Sequence, residues 1–226
     1  MKKDILLDLL ASRILDLPAD KPQIVGIDGF DASGKTTLAD SLADRVRQHR
    51  PVLCASIDGF HLPRDTRYRK GELSPAGYYY DSFNYKEIIN KLLLPWKNYA
   101  RENIYTTIYD FRKDRAHYCK SRIPGKEAIL IFEGVFLLRR ELIPFWDLKI
   151  FLEVDFTVVL ERALKRDQKL SGSSTQIRKK YEMRYINGQI IYLHEADPLS
   201  KADFIVNNND PDNPNLILNN EPSPKS

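Results

Sequence analysis

The stretch that most constrains this chain is Gly29-Phe30-Asp31-Ala32-Ser33-Gly34-Lys35-Thr36, which matches GxxxxGK[ST] in full. It follows a short β-like run, Gln23 to Asp28, and precedes Leu38, Leu42 and Val46, which recur on one helix face. That context lets the motif wrap a phosphate. The glycines allow the backbone to curl, its N–H groups converge on phosphate oxygens, and the following helix adds its N-terminal dipole. Lys35 supplies a point charge for the β and γ phosphates, and the Thr36 hydroxyl can ligate Mg²⁺. Gly29, Asp31, Ala32, Ser33, Gly34, Lys35, Thr36 and Thr37 are the candidate nucleotide-binding residues, and ATP or GTP with Mg²⁺ is the implied cofactor set. A chance turn is the bland alternative, and the strand-loop-helix setting argues against it. The motif by itself specifies nucleotide binding only, because switches, motors and kinases share it.

Further short apolar runs repeat the strand signal: Val52 to Ile57, Ala128 to Phe132, Lys149 to Val154 and Asp203 to Val206. Alternating with helices, they predict an α/β fold, a P-loop NTPase-type parallel sheet with helices on both faces. An amphipathic helix opens the chain from Asp4 to Leu17, where Pro18 stops it. Residues from about 60 to 125 are rich in Tyr, Arg, Pro and Asp, with helical spacing only around Tyr85 to Leu94, and predict an insertion over the acceptor site. Two helices broken at Ser171-Gly172, over about 160–190, have the profile of a helical lid. The Asn- and Pro-rich tail from about 207 to 226 is expected to pack loosely, and 226 residues fit one domain of this kind.

Composition narrows the setting. No apolar run approaches the roughly 20 residues of a membrane span. Cys54 and Cys119 form no metal-type cluster, so a cytoplasmic protein is expected. The net charge of +4 comes from 35 basic and 31 acidic residues, a mixed surface rather than a polycation. A small-molecule hydroxyl acceptor is the expected partner, with no nucleic acid, no membrane and a homo-oligomer left open.

Reaction chemistry must come from the acids at the strand ends. Asp58 follows the second strand, on the edge where the phosphate loop also lies in a parallel sheet. There its carboxylate can take the proton of an acceptor hydroxyl as that hydroxyl attacks the γ-phosphate. Glu133 ends the strand Ala128 to Phe132 and can hold magnesium with Thr36, while Gly134 leaves room for a ligand. Asp28 also ends a strand, but it directly precedes the loop and is expected to buttress it. Arg162, Lys165, Arg166 and Lys169 recur at i, i+3, i+4 and i+7. A shared cationic face could clamp the γ-phosphate in transfer, and Arg162 and Arg166 are the two chosen for that role, with Lys35 and Asp58 as the other catalytic candidates. The insertion crowds Tyr78, Tyr79, Tyr80, Phe83, Tyr85, Tyr109 and Phe111 around Asp81, Asp110, His61 and His117, which suits a flat ring in an acceptor pocket and suits a small core equally well.

Taken together, VGIDGFDASGKTTLADSLA, SIDGFHLPRDTRYRKGE, SPAGYYYDSF, IYDF, LIFEGVFLL, ERALKRD and RYINGQIIYL before ADFIVNNND resemble the uridine kinase-like branch of the uridine kinase and phosphoribulokinase superfamily in order and spacing. The resemblance implies a kinase in which Asp58 activates the acceptor, Lys35 and Thr36 bind phosphate and metal, Glu133 supports the metal and the arginines of ERALKRD close over the phosphates. It also puts Tyr109 in the nucleoside pocket; Asp58, His61, Tyr109 and Asp81 are the candidate acceptor-binding residues. Asp114 stands where the best-known nucleoside kinases carry a histidine, and Leu170-Ser171-Gly172 where they carry a Glu-Arg-Gly-Arg turn. The expected reaction is transfer of the γ-phosphate of ATP or GTP to the 5′-hydroxyl of a uridine- or cytidine-like nucleoside. The same chemistry on nicotinamide riboside, pantothenate or a sugar phosphate is the alternative. A nucleotide switch is a weaker reading, since Asn207-Asn208-Asn209-Asp210 lacks the lysine of a guanine-reading motif.

Overall fold

The N-terminal helix forms because Leu6, Leu10 and Ile14 stack on one face at helical spacing, and all three are almost wholly buried. This helix, α1 (Lys3–Leu15), leads into β1 (Gln23–Gly29), whose seven residues are all buried, and then into α2 (Lys35–Val46). Each such buried aliphatic side chain contributes about 1.5–3 kcal/mol. Arg45 of α2 pairs with Asp4 and Asp8 of α1 at 2.9 Å each, fixing the two helices side by side. The computed structural model describes residues 1–100, 104–167 and 173–218. Lys169, the Ser171-Gly172 break and the end of the tail lie outside those residues.

The central sheet adds β2 (Val52–Ser56), β5 (Ile129–Gly134), β6 (Leu148–Glu153), β7 (Phe204–Asn207) and β8 (Asn215–Leu218), in the order β2-β5-β1-β6-β7-β8. Every neighbouring pair is parallel except β7 with β8. In β1, Val25 and Ile27 face the α1–α2 layer, and Ile24 faces the opposite core. The mostly parallel α/β sheet predicted from the apolar runs is present, with a core cluster on each side. The tail departs from expectation: residues 215–218 pair antiparallel with β7, Val206 opposite Leu216.

The segment between β2 and β5 holds α3 (Arg64–Arg67), α4 (Pro75–Asp81), α5 (Tyr85–Ile88), a π-helical turn Ile89–Leu93, α6 (Leu94–Lys97) and a hairpin of β3 (Ile104–Asp110) and β4 (Arg115–Ser121). Ser74 caps α4 by accepting from Gly77 N, and Asn84 caps α5 by accepting from Glu87 N. The ladder loosens into its π turn just before Pro95, whose nitrogen has no hydrogen to donate. The hairpin was not expected, because β4 is exposed along most of its length and carries no apolar alternation. Trp96 ties this segment to the sheet, its indole N–H donating to Gln23 O at 3.0 Å.

Beyond β6 come α7 (Phe156–Asp167), α8 (Ser174–Lys180), a second π turn Tyr181–Tyr185, α9 (Ile186–Ala196) and α10 (Pro198–Lys201). A capping box of Ser173 and Gln176 starts α8. The second lid helix runs on to Ala196, beyond the expected limit of about 190. Gly188 is a contact point: a Cβ there would come within 2.6 Å of the Tyr78 ring.

Candidate active site

The phosphate loop leaves the C-terminal end of β1 and enters α2 through Gly34 at its N-cap. The N–H groups of the first turn of α2 have no partner within the helix, so the loop presents donors to an anion. Lys35 is nearly buried and donates to Phe30 O at 2.6 Å, which holds its ammonium across the loop. Asn208, just after β7, braces the loop from outside by donating to Ser33 O at 2.7 Å. Asp28 is the buttress expected of it: wholly buried, it accepts from Gly29 N at 2.7 Å, Leu138 N at 3.0 Å and the Tyr192 hydroxyl. Burial pushes its carboxyl up to about 6, against the three donated bonds and the Lys35 charge, all of which favour the anion.

Because β2, β5 and β1 are parallel neighbours, the acids that end them arrive at one edge. Asp58 and Glu133 both line a cavity of about 830 Å³, together with Asp31, Ala32, Gly34, Lys35, Thr36 and Thr37 of the loop. Asp58 is accessible from that cavity, yet crowding by protein pushes its carboxyl up, and the Asp31 charge adds to this; Lys35, Arg166 and Arg112 oppose it. Burial likewise raises Glu133, while Lys35 and the hydroxyls of Ser56 and Thr36 favour its anion. Ser56 also accepts from Asp58 N at 3.2 Å, which fixes the turn that presents Asp58. Gly134 serves a purpose beyond making room for a ligand: a Cβ there would fall within 2.4 Å of the Ile57 side chain, which packs under that same turn.

The oxygen donors of Thr36, Ser56 and Glu133 suit a hard cation such as Mg²⁺. Among the described residues no group of three or more His, Cys, Asp or Glu could hold a metal alone. Thr36, Ser56 and Glu133 are the residues that would hold such an ion, which would supply positive charge beside the phosphate loop.

The acceptor half is aromatic. The His61 ring stacks on Phe111 with centroids 4.4 Å apart and meets Phe83 at 4.5 Å, and its Nδ1–H donates to Asp58 O at 3.0 Å. Burial lowers its pKa to about 4, so the ring is neutral at physiological pH and Nε2 remains an acceptor. Tyr78, Tyr181 and Tyr185 complete this wall. Both lid tyrosines come from the π turn, and their rings, four residues apart, meet edge to face at 4.9 Å.

Arg162 and Arg166 line the cavity, and Lys165 does not. Arg162 donates to Asn208 O at 2.7 Å and Arg166 to the Tyr181 hydroxyl at 2.8 Å. Two acceptor-binding candidates fall outside the cavity lining. Tyr109 donates its hydroxyl to Asp114 at 2.9 Å, and Asp114 also accepts from Arg64 N at 2.9 Å, so the tyrosine closes the hairpin against α3. Asp81 is drawn to Lys70 at 3.0 Å and Arg69 at 3.9 Å, away from the acceptor space. Gly29 and Ser33 shape the loop without lining the cavity. The cavity adds Ser56, Arg112 and Asp167, which sequence reasoning had not selected; Ser56, two residues ahead of Asp58, carried the one local signal, that of a capping hydroxyl.

A triphosphate cradle that shares a cavity with a strand-end carboxylate and an aromatic pocket separates a kinase from a switch, and fold and site together define a P-loop small-molecule kinase. Comparison with known proteins narrows that class. The model of the Phosphoribulokinase / Uridine kinase family matches residues 24–208, and the chain belongs to this family. It is 28% identical over 161 residues to a uridine kinase of Lactobacillus helveticus, a match covering 69% of this chain and 72% of that protein. A uridine kinase of Saccharomyces cerevisiae is 31% identical over 159 residues, 66% of this chain and 30% of that longer protein. A solved structure described as a possible uridine kinase from Bacillus stearothermophilus superposes with a TM-score of 0.70 at 27% identity, covering 88% of this chain and 96% of that one. The protein is a phosphotransferase acting on a hydroxyl acceptor, and membership of the family implies ATP binding. Among the described residues no helix is long and apolar enough to cross a membrane.

Proposed function

We propose that the protein transfers the γ-phosphate of ATP or GTP to the 5′-hydroxyl of a nucleoside of the uridine or cytidine type. The observation that carries this reading is the position of Asp58, on the wall shared by Lys35 and the His61–Phe83–Phe111 cluster. A flat base can pack against the exposed side of such a ring cluster, and its sugar then extends toward the carboxylate. The relatives named uridine kinases support the same acceptor class.

In this reading the loop N–H groups and Lys35 hold the donor phosphates, and Asp58 accepts the proton of the attacking hydroxyl. Arg162 and Arg166 neutralise charge on the transferring phosphoryl group, and the aromatic wall excludes water that would otherwise compete with the acceptor. Magnesium, held by Thr36 and Glu133 when bound, would neutralise phosphate charge. The free cysteines Cys54 and Cys119 fit a cytoplasmic setting.

A second reading keeps the chemistry but changes the acceptor to one with an acidic group, such as pantothenate or a sugar phosphate. It is favoured by Arg112, which lines the cavity and bears electrostatically on Asp58. An acceptor panel of uridine, cytidine, nicotinamide riboside, pantothenate and sugar phosphates, with ATP and Mg²⁺ and mass-spectrometric detection, decides between them. A nucleoside monophosphate as the principal product supports the first reading, and turnover of the acidic acceptors alone rejects it.

A further inference from the structure

Asp31 is out of place in a phosphate loop. A carboxylate beside a triphosphate is repelled by it, so this side chain does not serve the donor phosphates. Its hydrogen bonds run the other way. Both Tyr78, on α4, and Gln189, on α9, donate to Oδ2, the latter at 3.2 Å. The two donors are buried, at 6% and 1% exposure, so they hold the carboxylate in one orientation. Oδ1 has no hydrogen-bond partner among the described residues, and the side chain lines the large cavity. The charge of Asp31 is felt at Asp58, His61, Arg166, Tyr181 and Tyr185, all around the acceptor half.

A fixed, partly accessible carboxylate oxygen next to the proton-accepting Asp58 is a receptor for a hydroxyl. Resting on the kinase reading above, we propose that Asp31 binds the acceptor by accepting a hydrogen bond from a second hydroxyl, so that the enzyme selects polyhydroxylated acceptors, ribosyl groups among them, over alcohols with a single hydroxyl. Preorganisation by Tyr78 and Gln189 means that little ordering is left for the moment of binding.

The test is a cycle between enzyme and acceptor. Wild type, Asp31→Ala and the near-isosteric Asp31→Asn are assayed with a ribonucleoside and with its 2′-deoxy and 3′-deoxy forms, at saturating ATP and Mg²⁺. A hydrogen bond to a charged group corresponds to about 10- to 100-fold in affinity. The wild type is expected to lose that factor in kcat/KM on one of the deoxy acceptors. Asp31→Ala is expected to lose it on the ribonucleoside while discriminating little between the two forms, with the KM for ATP changed less than about 3-fold. Asp31→Asn, which keeps an acceptor for Tyr78, is expected to fall between them and guards against misfolding of the alanine variant. An undiminished deoxy penalty in both variants would overturn the proposal. So would a raised KM for ATP with an unchanged acceptor KM, or equal use of single-hydroxyl alcohols by the wild type. Failure of the kinase reading looks different, since no alcohol of any kind would then be phosphorylated, and the proposal would fall with it.

Discussion

In the proposed reaction Asp58 is the residue on which the chemistry turns. Asp58→Asn keeps the shape and removes the base, so phosphoryl transfer is expected to slow at least ~100-fold while nucleotide still binds, as read by single-turnover rates beside a nucleotide titration. Crowding by protein and the nearby Asp31 charge raise the proton affinity of Asp58, and the base must be ionised to work. The acid limb of kcat/KM is therefore expected above the ordinary carboxylate range, and Asp31→Asn, by removing a like charge, is expected to move that limb to lower pH. His61, neutral down to about pH 4, adds no limb near neutrality. At Asp28 all three partners are donors, so Asp28→Asn must set an amide N–H against another N–H; a loss of about 1–3 kcal/mol is expected, read from urea midpoints at an unchanged slope. The loop and Lys35 were legible from sequence because they are contiguous, and Asp58 and Glu133 because strand ends in a parallel sheet share an edge. Arg112 and Tyr78 were not singled out, because their place depends on how the insertion folds back. Tyr109 and Asp81 misled for the same reason: their partners, Asp114 in one case and Arg69 and Lys70 in the other, are chosen by tertiary packing.

At the scale of elements, α7 and the π turn act together. Arg166 reaches Tyr181, so the cation on one helix is steadied by a ring on the next. Arg166→Ala is expected to lower kcat by about 100-fold with a smaller change in KM for ATP, because its charge matters most as the phosphoryl group moves; steady-state kinetics in the donor separate the two. Helical spacing revealed Arg162 and Arg166, but it placed Lys165 with them, and a few degrees of helix rotation decide which side chains reach the cavity. The π turns were invisible from sequence: each is an adjustment of one residue in an otherwise continuous helix, and nothing in YEMRY alone marks it. Cations of the basic run Arg64 to Lys70 are paired with carboxylates, Arg64 with Glu72, Arg67 with Asp114 and Lys70 with Asp81.

For the whole molecule, ligand binding and stability are coupled through the phosphate loop, which joins the central strand to α2. A nucleotide held by that loop is expected to stabilise the fold by about 2.7 kcal/mol at a hundredfold excess over its Kd. Differential scanning calorimetry should record a higher Tm with Mg²⁺ and a non-hydrolysable ATP analogue, a smaller rise after chelation, and the full rise in Asp58→Asn. The sheet order was readable only in part, since the apolar runs announce strands without saying which lie side by side, and β8 hides in a stretch of Asn and Pro. β2 and β5 are immediate neighbours, so everything between them is a flap sewn along a single seam, and no ladder of the main sheet passes through it. A family built this way can exchange the flap to change its diet while its engine for moving phosphate stays untouched.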